Sequence, residues 1–215
     1  MASPPQPQQQ SPFPSDFSIT TSRLRIIPFD PNNQSHCTFL VYLYNTDLFI
    51  NACGRTPVID TASASEYIRN RIVADYIRHK HGIFLILLQD QGTDPFMFPP
   101  IPIGTVSLMK GAPPNRHYLA PDVGYAILPE MNGRGYATEA AKALLAWARA
   151  SLGISDVFGF CDSTNFHSRR VLEKVGLRLR GIAALEAFGG AESAVYALPG
   201  MSEDLSVYDL TEKLQ

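Results

Sequence analysis

Asp-Val-Gly-Tyr-Ala-Ile-Leu-Pro-Glu-Met-Asn-Gly-Arg-Gly-Tyr-Ala-Thr-Glu, residues 122–139, is the segment around which the predicted elements are arranged. Residues 122–128 predict a β-strand, because apolar side chains alternate with smaller ones at Val123, Tyr125 and Ile127. Pro129 ends this strand, since proline has no N–H to donate to a neighbouring strand. A loop follows, and a helix is expected to begin near Thr138.

The loop between this strand and this helix has the composition of a phosphate site. It contains Asn132, Gly133 and Gly135, and Arg134 adds a positive charge. A glycine-rich loop that opens a helix presents free backbone N–H groups and the positive end of the helix dipole. An ordinary strand-to-helix turn remains the alternative, because Gly-x-Gly alone is a weak signal. A dinucleotide-binding loop would need glycine where Thr138 stands, and the chain lacks the Gly-Lys-Ser/Thr of a P-loop.

Two motifs resemble those of one enzyme family. Residues 132–137 are similar to Gln/Arg-x-x-Gly-x-Gly/Ala, the pyrophosphate loop of the GNAT acetyltransferases, with Asn132 in place of Gln or Arg. The string Gly-Arg-Gly-Tyr-Ala-Thr-Glu-Ala resembles the ribosomal-protein-alanine (RimJ/RimL-like) branch. Residues 165–177 resemble the family's Asn-x-x-Ser-x-x-x-Leu-x-Lys-x-Gly-Phe. The resemblance covers residues 122–177, and Asp204–Tyr208 is similar to the family's last strand.

Composition places the chain among globular proteins. Its 215 residues suit one domain, residues 17–215, after a Pro/Gln-rich tail, residues 1–16, that we expect to be disordered. The net charge of −2 argues against nucleic-acid binding, and the sequence has no apolar run long enough to enter a membrane. Three unevenly spaced cysteines suit a reducing compartment, so we expect the cytoplasm, with the nucleus also compatible. A monomer or a homodimer is expected.

The order of predicted elements indicates an α/β chain with a mixed sheet and helices on both faces. The resemblance implies the GNAT fold, a twisted and mostly antiparallel sheet. Strands are expected at 19–27, 83–89, 103–110, 122–128, 156–161, 177–184 and 205–210. Helices are expected after Asn32 or Asn33, after Ser63 or Ser65, and at 138–152 and 165–175. Residues 51–60, 90–102, 111–121 and the excursion 185–203 are expected to be loops.

The resemblance implies an acetyl-CoA-dependent N-acetyltransferase, in which a primary amine attacks the thioester directly in a ternary complex. The strands at Asp122 and Asp156 would splay apart to admit the pantetheine arm of acetyl-CoA. Main-chain groups of Ile127 and Leu128 would pair with that arm, and an N–H near Leu128 would stabilise the oxyanion. The remaining residues implied to bind the co-substrate are Asn132, Gly133, Arg134, Gly135, Tyr136, Ala137, Thr138 and Asn165.

Asp122 is the candidate general base, since a carboxylate half-buried by the cleft would have a raised pKa. A solvated strand-end aspartate is the alternative, and Glu139 is the rival base, although a first-turn glutamate commonly serves the helix dipole. Ser168 matches a serine that this branch can use near the sulfur, and a structural cap is the alternative role for it. Residues 165–175 contain no tyrosine to act as the family's proton donor.

One cysteine and three histidines are less convincing candidates for the chemistry. Cys161 suits a buried strand position, and His167 is expected to be exposed. His79 and His81 lack a carboxylate or cysteine partner, so no metal site is predicted.

Two other functions remain open on the sequence: a non-catalytic CoA-binding module with the same fold, and an unrelated nucleotide binder that uses the glycine loop. The acceptor is expected to be a protein N-terminus or a small-molecule amine. The loops at 51–60, 90–102 and 185–203 are where it would bind.

Overall fold

The computed structural model describes residues 12–89, 100–111 and 118–212. These residues form eight strands: β1 (Ile19–Thr20), β2 (Leu24–Pro28), β3 (Ile83–Leu88), β4 (Ile101–Met109), β5 (Asp122–Ile127), β6 (Phe158–Asp162), β7 (Arg178–Ala184) and β8 (Glu192–Ala197). The α-helices are α1 (Gln34–Tyr44), α2 (Asp47–Cys53), α3 (Thr61–Tyr67), α4 (Ala74–His79), α5 (Tyr136–Leu152) and α6 (Phe166–Lys174). A π-helical segment, Ile68–Val73, joins α3 to α4.

All eight strands belong to one sheet, in the order β1-β2-β3-β4-β5-β6-β8-β7. Each neighbouring pair is antiparallel except β5 and β6, which are parallel. This is the mixed, mostly antiparallel sheet that the element order and the family resemblance predicted.

Helices bury both faces of the central strands. Phe84, Leu85 and Ile86 are consecutive in β3, so they point alternately to opposite faces, and all three are 0% exposed. Helix α5 packs against β4 and β5 and also reaches β1 and β2. Its buried stripe recurs at helical spacing: Tyr136, Ala140, Ala141, Leu144 and Ala148. Burial of this stripe fixes the start of α5 at the end of β5.

A second apolar cluster lies at the C-terminal end of the sheet. It is built around Phe158 of β6 and the buried ring of Tyr118, and it includes Ala183, Leu185, Val195, Ala197, Met201 and Leu210. Phe160 and Phe188 pack against it. This cluster borders the point at which β5 meets β6.

The N-terminal half differs from the sequence predictions in three places. The strand expected at 19–27 is a hairpin, because Ile19 of β1 pairs with Ile26 of β2. Asn33 caps α1 as predicted, but the cap of α3 is Asp60, whose carboxylate accepts from the Ser63 N–H. Local hydrogen bonding makes aspartate as good a cap as serine, so spacing alone did not distinguish them. The loop expected at 51–60 begins only after α2.

The C-terminal half differs more. The excursion expected at 185–203 contains β8, which lies between β6 and β7 in the sheet. The strand expected at 205–210 is a 3-10 turn, Leu205–Tyr208, which the Asp204 carboxylate caps. Helix α5 begins at Tyr136 rather than near Thr138, and β4 begins at Ile101. The resemblance of Asp204–Tyr208 to the family's last strand was therefore wrong.

The N-terminal segment packs earlier than expected. Residues 1–11 of the predicted tail lie outside the described residues. Phe13, in contrast, packs against Phe17 (ring centroids 4.5 Å apart), Tyr76 (5.1 Å) and Trp147 (6.1 Å). The packed chain thus includes Phe13, four residues before the predicted boundary. Among the described helices, none combines the length and apolarity needed to cross a membrane.

Candidate active site

Strands β5 and β6 diverge from a single point of contact. Their register contains one residue pair, Asp122 with Phe158, and the Phe158 N–H donates to the Pro121 carbonyl at 2.9 Å. Beyond this pair the two parallel strands no longer bond to each other in register. The predicted splay is therefore present, with Asp122 at its vertex.

The main chain of β5 faces this cleft at alternate residues. The Leu128 N–H donates to the Ile103 carbonyl of the β4 side at 2.9 Å. Because hydrogen-bonding direction alternates along an antiparallel strand, the N–H and C=O of Ile127 point the other way, towards β6. Of the two residues expected to pair with pantetheine, Ile127 is placed to do so. The Leu128 N–H itself is already bonded within the sheet, so an oxyanion donor near Leu128, which the resemblance implied, would have to be another N–H.

The loop at the mouth of the cleft is open and ends in an uncapped helix. Gly133 and Gly135 have φ of 76° and 83°, in the left-handed region that favours glycine. Gly135 is the N-cap of α5 and no side chain caps this end. The first-turn N–H groups of Tyr136, Ala137 and Thr138 therefore lack helical partners and face an exposed loop. This arrangement suits an anion such as a pyrophosphate.

Glu139 and Arg23 tie this loop to the turn between β1 and β2. The Arg23 guanidinium lies 2.5 Å from the Glu139 carboxylate and donates to the Arg134 carbonyl at 3.1 Å. It also lies over the Tyr136 ring, with Cζ 4.6 Å from the centroid. The Thr21 hydroxyl donates to Glu139 at 2.5 Å.

The Thr21 hydroxyl, the Arg23 N–H and the Arg23 guanidinium, all from the turn between β1 and β2, thus hold the glutamate in place. Burial raises the pKa of Glu139, but hydrogen bonds from Thr21 and Arg23 and the charge of Arg23 outweigh burial and lower that pKa overall. Both the contacts and the lowered pKa favour a structural role for Glu139 over that of a base.

Asp122 has a different environment. Its neighbours in register are Met109 of β4 and Phe158 of β6, and the Tyr118 hydroxyl donates to its Oδ1. Burial raises the pKa of the Asp122 carboxyl to about 6, against the hydrogen bond from Tyr118, which lowers it. A carboxylate with a pKa just below neutrality is suited to accept a proton. Sequence reasoning missed Tyr118, which lies in a segment without helical or strand periodicity.

Ser168 lies on the face of β5 opposite to the one on which the Asp122 side chain lies. The Tyr125 hydroxyl donates to the Ser168 carbonyl at 2.8 Å, and residues 122 and 125 of one strand point to opposite sides of the sheet. Asn165 caps α6, since its side-chain oxygen accepts from the Ser168 N–H at 3.0 Å. Asn165, expected to bind co-substrate, therefore has a structural role in orienting α6.

The remaining candidates have environments unlike that of Asp122. Burial raises the pKa of the Cys161 thiol to about 11, so the thiol stays protonated at neutral pH. His167 is exposed, as predicted.

His81 is buried with Nδ1 2.8 Å from the Leu108 carbonyl, and its ring stacks on His79. Across the described parts of the chain, no group of three or more His, Cys, Asp or Glu could hold a metal ion.

Comparison with known proteins identifies the class. The Acetyltransferase (GNAT) domain profile matches residues 23–178, which include the hairpin strand β2, the cleft and α6. The chain belongs to the GNAT acetyltransferase family.

Individual relatives are distant. Over 60 residues the chain is 32% identical to the uncharacterized N-acetyltransferase YnaD of Bacillus subtilis; the match spans 28% of this chain and about a third, 35%, of that relative. An acetyltransferase structure from Agrobacterium tumefaciens superposes with a TM-score of 0.64 at 21% identity, covering 87% of this chain and 97% of that one. RimL, a ribosomal L7/L12 alpha-N-protein acetyltransferase in complex with coenzyme A, gives 0.64 at 19% identity, covering 84% and 97%. At these identities the likeness concerns the fold.

Proposed function

We propose that this protein transfers an acetyl group from acetyl-CoA to a primary amine. The observation that carries the proposal is the cleft between β5 and β6, which combines three features at one place. An uncapped helix with an open glycine loop lies at its mouth, the main chain of Ile127 faces its interior, and a half-buried carboxylate stands at its vertex. Family membership and the coenzyme A complex of the RimL structure support the same assignment.

Each feature has a chemical task in this reaction. The N–H groups of residues 133–138 would hold the pyrophosphate, and main-chain groups of Ile127 would pair with pantetheine as an added strand does. Asp122 would take one proton from the ammonium form of the acceptor. The nitrogen then attacks the thioester carbon, an N–C bond forms, the C–S bond breaks, and the second nitrogen proton goes to the departing sulfur. Ser168, on the opposite face of β5, is the proposed group near that sulfur.

The proposed acceptor class is a protein N-terminus or a small-molecule amine. The first of these rests on RimL, which is described as an alpha-N-protein acetyltransferase. The segment between β7 and β8 approaches the vertex through Phe188, so acceptor contacts are proposed there. The proposed compartment is the cytoplasm, in which the three free cysteines would remain reduced.

The experiment that tests the proposal separates binding from chemistry. Calorimetry measures acetyl-CoA affinity, and thiol release is followed with a panel of N-terminal peptides and small amines. Gly135→Ala places a side chain at a left-handed position in the loop, and should weaken acetyl-CoA binding at least tenfold. Gly153→Ala is the matched control, because Gly153 also has a positive φ (68°) with open space around it, but at the far end of α5.

Both variants should lose a similar, small amount of stability, since both force alanine into a left-handed conformation. Equal acetyl-CoA affinity in the two variants would refute the phosphate-loop assignment. Binding without acetylation of any amine would favour the non-catalytic module. Displacement of acetyl-CoA by ATP or NAD, with no thiol released, would favour the unrelated nucleotide binder.

A further inference from the structure

Tyr118 is buried and held against Asp122 by two other aromatic rings. Its residue is 4% exposed, and its hydroxyl donates to the Asp122 carboxylate. Phe160 of β6 contacts its ring edge-on at 5.9 Å between centroids, and Phe188 lies at 6.3 Å. Phe160 and Phe188 also contact each other, at 4.8 Å. The hydroxyl oxygen therefore cannot move away from the carboxylate unless this cluster repacks.

The backbone around Tyr118 is anchored as well. The N–H of the next residue, Leu119, donates to the Tyr208 carbonyl at 3.0 Å, and the Tyr208 ring packs against Phe158 at 5.0 Å. Phe158 is the residue that pairs with Asp122 at the vertex of the cleft. Tyr118 and Asp122 are thus fixed to the same strand, β6, through separate contacts.

Few groups act on the Asp122 carboxylate. β4 contributes Met109 and β6 contributes Phe158, and neither side chain carries a charge. The groups that favour the ionised carboxylate are the Tyr118 hydroxyl and the backbone N–H of Asp122 itself, and burial acts against both. Within residues 12–89, 100–111 and 118–212, no charged side chain adds to these effects. The Tyr118 hydroxyl is therefore the side-chain group that stabilises the ionised form of Asp122 against burial.

We propose that Tyr118 is a positioning residue for acetyl transfer: its hydroxyl holds one oxygen of the Asp122 carboxylate so that the other faces the acceptor amine. This inference rests on the function proposed above and adds a residue to it. The acceptor gives one proton to the free oxygen of Asp122, directly or through a water molecule. Tyr118 keeps its own proton throughout, and Asp122 later releases its proton to solvent.

Tyr118→Phe tests this role, because it removes the hydroxyl and leaves the ring between Phe160 and Phe188. A hydrogen bond to a charged group is worth about 1–2 pKa units. The acid limb of the kcat/KM profile should therefore move upward by about 1–2 pH units. Turnover at pH 7 should fall roughly tenfold and recover above pH 8.5, with acetyl-CoA affinity unchanged.

Tyr208→Phe is the matched control. Tyr208 belongs to the same cluster, but its hydroxyl accepts from the Ser202 N–H at 2.9 Å and does not touch Asp122. This variant should keep the wild-type pH profile. A Tyr118→Phe profile that superimposes on that of Tyr208→Phe overturns the proposal.

Two further measurements test whether Tyr118 acts through Asp122. In an Asp122→Asn background, Tyr118→Phe should change kcat by no more than about twofold, since coupled groups lose their effect when the partner is absent; a full additional loss overturns a role exerted through Asp122. Carbon-13 titration of the aspartate carboxyls should show the Asp122 pKa higher in Tyr118→Phe than in wild type, whether or not an acceptor has been found. A wild-type protein that acetylates nothing refutes the proposed function, whereas an unchanged titration refutes the role of Tyr118.

Discussion

Replacing Asp122 with asparagine should stabilise the protein while reducing its activity. The pKa of this carboxyl rises from 3.8 to about 6 on folding, so the ionised form costs the folded state about 3 kcal/mol at pH 7 or above. Asparagine has nearly the same shape, carries no charge, and retains an oxygen that accepts from the Tyr118 hydroxyl. Asp122→Asn should therefore raise the free energy of unfolding at pH 7.5 by up to ~3 kcal/mol.

The stability difference between Asp122→Asn and wild type should depend on pH in a defined direction. The folded state binds the Asp122 proton more tightly than the unfolded state, so this residue makes wild-type stability fall as pH rises between about 4 and 6. Below pH 4 the carboxyl is protonated in both states and the variant should have no advantage. Above pH 6 the advantage should be complete and constant. The stability curves of wild type and variant should therefore diverge across this window.

Urea unfolding at several pH values between 4 and 8 measures this difference. In thermal unfolding at pH 7.5, the melting temperature of Asp122→Asn should be higher than that of wild type by up to ~6–12 °C. Asp162→Asn is the control, because the exposed Asp162 carboxylate accepts from Thr164 and its pKa is lowered by those hydrogen bonds; it should gain no stability. Equal stability of Asp122→Asn and wild type at every pH would refute the desolvation of this carboxylate.

The same variant tests catalysis independently. A positioned general base contributes ~10²–10⁴-fold to the rate, so kcat should fall by roughly that factor and acetyl-CoA affinity should hold. Part of the rate should return at high pH, where more acceptor is already neutral. A variant that is more stable but keeps normal turnover at pH 7 would show that Asp122 is desolvated without being the base.

Three further predictions concern the N-terminal segment and the glycine loop. Phe13→Ala should lower the free energy of unfolding by about 1–2 kcal/mol, because a partly buried ring leaves the aromatic cluster. Removal of residues 1–11 should leave the melting temperature unchanged; a drop of several degrees would show that those residues pack as well. Arg23→Ala should weaken acetyl-CoA binding roughly three- to tenfold by releasing the Arg134 carbonyl. Arg149→Ala, on the exposed last turn of α5, should not, and equal effects in calorimetry would contradict the role of Arg23.

Sequence predicted the elements whose signals are local. The strand at Asp122, the glycine loop, α5 and α6 follow one another with clear alternation, helical spacing and caps, and the structure contains all four close to their predicted bounds. The splay of β5 from β6 was implied by the family resemblance, and the single pair at Asp122 shows it.

The features that were not predicted from sequence depend on contacts between residues far apart in the chain, which local sequence patterns do not show. β8 was missed because Glu192–Ala197 is composed largely of small residues and is buried on both sides by its neighbours, so no alternation shows. The 3-10 turn at Leu205–Tyr208 imitates a strand through its alternating apolar residues, but the Asp204 cap curls it. The hydrogen bond between Tyr118 and Asp122 joins a loop to a strand, and such a contact has no sequence period.

The one pair that joins β5 to β6 also bears on how long the protein survives in a cell. Beyond it, two strand edges face each other across the cleft, and unpaired edges invite pairing with other chains. In the proposed complex the pantetheine arm covers the β5 edge as an additional strand would. A ligand at 100 times its Kd adds about 2.7 kcal/mol to folding stability. Acetyl-CoA would then stabilise the fold as well as react, and resistance of the protein to aggregation and proteolysis would follow the supply of the coenzyme.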